Sequence, residues 1–230
     1  MFNREKETKI KDFNKLIAEV NKNIMIPGPP QILTCPFCGG EKQIMSLISG
    51  NTFGAELWSD NKQIAPMLPN ISYIQKCPHC GKYYILSRQE PNFDRDGDSF
   101  ETGELNFEET KEAYEQLSNE GFRTHGEEIE VRLMLFHALN DCYGRTLLGF
   151  DGCEDDWNLF VEQGKWLIEH AIADNVLKAE FYREIGEFDK ASELLVGVVP
   201  DDDFIREFAE KIKERIKLKD SKVFIISGEK

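Results

Sequence analysis

The sequence predicts an α+β protein in which a small β module precedes a larger all-helical array. Three observations carry this expectation: two Cys-x-x-Cys-Gly turns at 35–39 and 77–81 with short β-type runs beside them, an acidic, glycine-containing stretch after residue 90, and apolar residues at helical spacing from Phe107 onward. With 230 residues, 40% of them apolar, the chain can bury a real core. No run reaches the eighteen or so uninterrupted apolar residues of a bilayer span. Residues 1–15 are charged and lack the apolar centre of a signal peptide, so the expectation is a soluble, cytoplasmic protein with no membrane partner.

Residues 1–30 read as an amphipathic helix followed by a linker. Ile10, Phe13, Leu16, Ile17 and Val20 form one stripe, and Ile26-Pro27-Gly28-Pro29-Pro30 stops the helix as a short stiff connection. Within residues 31–90 the strand candidates are 43–49, 52–59, 71–75 and 83–87. They are separated by Ser49-Gly50-Asn51, by Ser59-Asp60-Asn61 and by a longer loop holding Pro66 and Pro69. Residues 91–106 are expected to be an exposed acidic linker.

Residues 107–220 read as helices with recognisable ends. Asn106 caps the first, which Gly121 ends, and a second runs from about 126 to 143 and stops at Gly144. A third, 154–172, turns Trp157, Phe160, Val161, Leu167, Ile168 and Ala171 to one face. A hairpin through Ile185-Gly186-Glu187 spans 175–196, and a last helix after Pro200 carries Phe204, Ile205, Phe208, Ile212 and Ile216 inward. The tail, 221–230, holds an apolar run at 223–227 that reads equally as a closing strand or an apolar plug.

Four of the six cysteines, Cys35, Cys38, Cys77 and Cys80, lie in the two pairs, and with no export signal this favours metal over disulfide. Each pair is a tight loop offering two sulfurs. The proline pre-sets the turn, and Gly39 and Gly81 tolerate the positive φ that aims backbone N–H groups at the thiolates. One structural Zn²⁺ is the expected cofactor, with iron in a rubredoxin-like site as the rival. A four-cysteine site has no open coordination position, so its role is folding and no catalytic or cofactor-binding residue is assigned. The ring of His79, inside the second knuckle, is expected to face outward.

The two knuckles, CPFCG at 35–39 and CPHCGKYY at 77–84, resemble those of zinc-ribbon domains over about 55 residues. Residues 49–69 are similar to a stretch in uncharacterised bacterial zinc-ribbon proteins. Residues 177–195 resemble one tetratricopeptide repeat, with Ala179 and Tyr182 on the first helix, Gly186 at the turn, and Phe188 and Ala191 on the second. One repeat earlier, Arg145, Gly152 and Glu154 stand at the corresponding positions and only the glycine is kept, so the resemblance implies a repeat-like array with one good unit. Such arrays present a concave surface to a partner.

Other constellations read as structure. Asp94-Arg95-Asp96-Gly97-Asp98 resembles the opening of a calcium loop, but Ser99 and Leu105 occupy the positions that need glycine and glutamate. Asp201-Asp202-Asp203 suits a helix start, Cys153 sits among carboxylates that disfavour its thiolate, and Trp58, Trp157 and Trp166 are read as core. His137 and Asp141, one helical turn apart with Cys142 beside them, lack an accompanying nucleophile or phosphate loop.

Charge then orders the functional readings. Residues 91–219 hold fifteen basic and thirty-two acidic groups, a balance of −17 that exceeds the chain's net −14, whereas residues 31–90 carry +1, which a four-thiolate zinc site lowers to about −1. A protein or peptide partner, basic in character, is therefore expected ahead of nucleic acid. An enzyme with a site between the two halves, using His137, Asp141 or residues 52–60, is a further alternative.

Overall fold

The computed structural model describes residues 25–94, 96, 97, 99, 101–145, 156–198 and 200–228. The amphipathic stripe of residues 10–20 and Cys153 lie outside the described residues. The architecture is α+β: small antiparallel sheets in the N-terminal part, then six α-helices, then a final strand.

Two hairpins carry the cysteines. β1 (Ile26–Thr34) pairs with β2 (Glu41–Ser49), and β5 (Ile74–Lys76) pairs with β6 (Tyr83–Ile85), so each Cys-x-x-Cys turn connects two antiparallel strands. β1 corrects the expected proline linker, because Pro27 to Pro30 continue the strand. Proline cannot donate to a ladder, and the register accordingly shifts between Ile26 and Pro27 and between Gly28 and Gln31. Gly28 is required there: a Cβ would lie 2.4 Å from Ser46 Oγ, which donates to the carbonyl of Pro29.

The acidic stretch after residue 90 is likewise stitched to the hairpins. The carbonyls of Asn92 and Glu101 accept from the N–H groups of Ile32 and Met45, that of Thr102 accepts from Ser72, and Asp94 accepts from Gln43 Nε2. β-type composition at 52–59 becomes only a three-residue strand, β3 (Glu56–Trp58). It is flanked antiparallel by β4 (Gln63–Ile64) and by β7 (Ile225–Gly228), so the tail is a strand.

The helices are α1 (Phe107–Glu120), α2 (His125–Asn140), α3 (Trp157–His170), α4 (Asn175–Glu184), α5 (Phe188–Leu194) and α6 (Asp203–Leu218), each packed on the next in sequence, with α6 also against α4. Local chemistry sets their ends. Asn106 and Glu109 form a reciprocal capping box, Asp174 and Asp202 cap α4 and α6, and Gly121 and Gly186 take φ of 85° and 80° after α1 and α4. α2 ends earlier than expected and runs into a π-helical turn, Asp141–Arg145, that contains Gly144.

Phe136 stacks between Phe160 and Phe181, with ring centroids 4.7 Å apart on each side, and a second core joins Val176, Ala179, Ala191, Phe208, Ile212 and Phe224. Three expected core positions are more exposed: Trp157, Phe204 and Ala171 sit at the rim, where helix ends leave nothing to cover them. A third core ties sheet to helix, because Ile74, Tyr83 and Ile85 pack on Ala113, Leu117 and Val131. Gln116 completes that contact by accepting from the N–H and donating to the carbonyl of Tyr83, as a neighbouring strand would.

Candidate metal centre and buried polar network

The two knuckles are built alike. In each, the first cysteine accepts through its carbonyl from the following glycine (Gly39, Gly81), and its N–H donates to the carbonyl of Gly40 or Lys82, all at 2.9 Å. Gly39 and Gly81 both adopt φ of 73°, a conformation that strains a residue with a Cβ. Backbone N–H groups of Gly40 and His79 donate to Cys38 Sγ and Cys77 Sγ at 3.4 Å.

The hairpins face each other so that the four sulfurs lie within 4.8 Å of one another. Across the knuckles, Cys35 Sγ and Cys80 Sγ are 3.7 Å apart, and Cys38 Sγ and Cys77 Sγ 3.6 Å. A tetrahedron of thiolates around zinc has an edge of about 3.8 Å. All four expected residues therefore converge into a cluster able to hold a metal ion. Cys35 and Cys77 are buried against Leu33, Ile44 and Tyr84, while Cys38 and Cys80 reach the surface. Burial opposes ionisation of Cys77, yet the N–H groups of Cys80 and His79 bring its thiol down to about 6. The ring of His79 makes no bond to a sulfur: it lies against Gly40, and its Nε2 is 3.0 Å from the carbonyl of Glu41.

The Asp141 N–H donates to the carbonyl of His137 at the end of α2, but the two side chains turn to different partners. His137 Nε2 lies 3.0 Å from the carbonyl oxygen of Asp60, and because that oxygen can only accept, Nε2 carries the hydrogen. Asp141 is bound instead by Lys62 Nζ and Arg145 Nε, each at 2.6 Å.

These contacts belong to a buried network that sequence reasoning missed. Its centre is the β3–β4 turn, where Ser59 and Asp60 are fully buried among the helices. Asp60 accepts from both terminal nitrogens of Arg145, from Asn140 Nδ2 at 3.1 Å and from the N–H of Lys62. Ser59 Oγ donates to Glu184 and accepts from the N–H of Phe224, while the N–H of Ser59 donates to the carbonyl of Phe224. Asn140 also donates to Glu184, and Arg183 binds Glu180 and the carbonyl of Asp220.

Electrostatics follow the burial. Desolvation, reinforced by Glu180 and Asp60, raises the Glu184 carboxyl well above the usual carboxylate range. Burial likewise lowers His137, against the opposing pull of Asp60. Asp60 stays ionised: desolvation acts against it, but His137 and Arg145 hold it below its ordinary value. The sequence points to its edge through His137, Asp141 and residues 52–60, but Ser59-Asp60-Asn61 reads only as a turn and carries no sign of burial.

A groove of about 640 Å³ opens beside the network, lined in part by Trp58, Lys62, Leu68, Glu104, Asp141 and Arg145. Trp58, expected in the core, forms its wall, with the guanidinium of Arg145 4.9 Å from its ring centroid.

No family model, curated protein or solved structure matches this chain. Its class is thus defined by its own geometry: an α+β chain with a four-cysteine cluster that can bind a metal, joined to a helical array. Among the described residues, no helix is long and apolar enough to cross a membrane.

Proposed function

We propose that this protein is a metal-stapled interaction protein of the reducing cytoplasm. One zinc ion on Cys35, Cys38, Cys77 and Cys80 fixes a zinc-ribbon module, and the acidic, tetratricopeptide-like helices offer a surface to a protein or peptide partner of basic character. The closed sulfur set carries the reading, because four thiolates fill a tetrahedral shell and leave the ion no position for water or substrate. The acidic surplus of residues 91–219 supports the sign of the partner. Iron could occupy the same four sulfurs and ranks second.

Elemental analysis of protein purified without added metal is expected to return one zinc per chain, and a strong chelator is expected to unfold the ribbon. Substoichiometric metal together with an intact fold in chelator would refute the metal half of the reading. Affinity capture from native lysate, with the metal site loaded, is expected to retain a specific partner that an acidic control protein does not. Background capture alone refutes the interaction half.

The groove beside Asp141 favours a second reading, an enzyme or ligand-binding protein with its site between ribbon and helices. A small molecule that raises the melting temperature of the wild type but not of Asp141→Asn would promote it.

A further inference from the structure

The groove between the β3–β4 turn, the loop holding Pro66 to Asn70, and the π-helical turn has an order of charges that the overall acidity does not explain. Its two cations are withdrawn: the side chain of Arg145 is 6% exposed and committed to Asp60 and Asp141, and that of Lys62 is 27% exposed and bound to Asp141. The carboxylates stand in front. Asp141, at 39%, is the most exposed member of the pair network, and each of its oxygens keeps acceptor capacity beyond its one cationic partner. Glu104, which is exposed and also lines the groove, has no hydrogen bond or ion pair among the described residues.

Apolar surface lines the same groove. Ile64 and Leu68 are 39% and 40% exposed, and Pro66, Pro69 and the half-buried Trp58 extend the wall. A group entering this groove therefore meets both exposed carboxylate and exposed hydrocarbon. That matches a guanidinium or ammonium head on a methylene stem, because a long basic side chain lays its stem on apolar surface while its head pairs with carboxylate. A carboxylate or phosphate ligand would find both cations, Lys62 and Arg145, already engaged by carboxylates and Glu104 uncompensated.

We propose that this groove, lined by the carboxylates of Glu104 and Asp141 and by the apolar Trp58, Ile64, Pro66 and Leu68, is the docking site for an arginine- or lysine-bearing segment of a protein partner. The proposal rests on the interaction reading above and assigns it a location. Charge complementarity selects the occupant, and the groove volume accommodates more than one side chain of an extended peptide.

The test is fluorescence anisotropy with a labelled hexa-arginine amide at about 0.15 M salt, where long-range attraction to the acidic chain is largely screened. Hexa-glutamate is the probe of opposite sign. The double variant Glu104→Gln/Asp141→Asn is expected to weaken hexa-arginine binding roughly tenfold or more. Leu68→Arg, which sets a competing cation in the groove at an exposed position, is expected to do the same without disturbing the buried network. Glu193→Gln/Glu214→Gln removes the same charge from exposed sites on α5 and α6 and is expected to leave affinity within about twofold.

Equal weakening by the groove pair and the remote pair, or wild-type affinity in Leu68→Arg, overturns the groove as the site while leaving a basic partner in place. Failure of the wild type to bind hexa-arginine, or preference for hexa-glutamate, overturns both. Metal content and thermal melting of each variant, measured alongside, separate lost binding from lost fold.

Discussion

Single residues in this protein are decided by what surrounds them more than by what they are. Glu184 is a carboxyl with no exposure, facing Glu180, Asp60 and Arg183, with His137 and Arg145 on the far side of Asp60. Its folded form holds a proton more tightly than its unfolded form. Its contribution is therefore fully present below the unfolded value near 4.5 and is lost as pH rises above it toward the raised folded value. Glu184→Gln keeps an acceptor for Asn140 and a donor toward Glu180, so the variant should lose this alkaline decline. Urea melts from pH 5 to 9 would show a flatter stability curve than wild type, and an unchanged slope would exclude Glu184 as its source. Gly164 illustrates the steric counterpart. A Cβ there would sit 2.6 Å from Ile185 Cγ2 and 3.1 Å from Phe136, so Gly164→Ala should destabilise by about 1 kcal/mol or more despite alanine's better helix propensity, as thermal melting would record.

At the level of elements, ends are set locally and pairings are not. The capping box of α1 satisfies two helix-start donors reciprocally, Glu109 N–H on Asn106 Oδ1 at 3.0 Å and Asn106 N–H on Glu109 Oε2 at 3.2 Å. Asn106→Ala should cost about 1 kcal/mol, with the first turn of α1 losing hydrogen-exchange protection before the rest; uniform protection would show the cap to be redundant. Lys76 reaches the same Glu109, so this helix start also anchors β5 to the helices. β1 behaves in the opposite way. Nothing in Pro27-Gly28-Pro29-Pro30 favours a strand, and it becomes one because β2 on one side and residues 92–94 on the other supply partners, with bulges absorbing the missing N–H groups.

Across the whole molecule, two kinds of staple hold the parts together. The four sulfurs converge between the two hairpins, where a metal ion would join them, and the buried turn at Ser59 and Asp60 joins the β segment to α2, α4 and the tail. Removing one member of a buried ionic set leaves the others desolvated and unpaired, so Asp60→Ala should cost about 3–5 kcal/mol, far more than an exposed aspartate would. Denaturant melts give the magnitude, and a loss below about 1 kcal/mol would mean that the turn is not an anchor. If the two staples act separately, chelation should loosen β1, β2, β5 and β6 first, with the Phe136 stack between α2, α3 and α4 persisting; hydrogen exchange with and without chelator distinguishes this from global unfolding.

The amino-acid sequence by itself determined the knuckles and most helix ends, because a Cys-x-x-Cys-Gly turn, an Asn or Asp cap and a terminal glycine act through atoms a few residues apart. It also placed Ala179, Gly186 and Ala191 in a close helix hairpin, since small residues bear that meaning wherever helices touch. Only the tertiary structure decided that Ser59-Asp60 is a buried plug, that the backbones of Asn92, Asp94 and Glu101 bond to the β1–β2 hairpin, that the tail pairs with Glu56 to Trp58, and that the side chains of His137 and Asp141 face different partners. Each of these depends on groups many residues apart, the backbone of Ser59 on that of Phe224 among them, and no local preference encodes a partner that folding alone brings within reach.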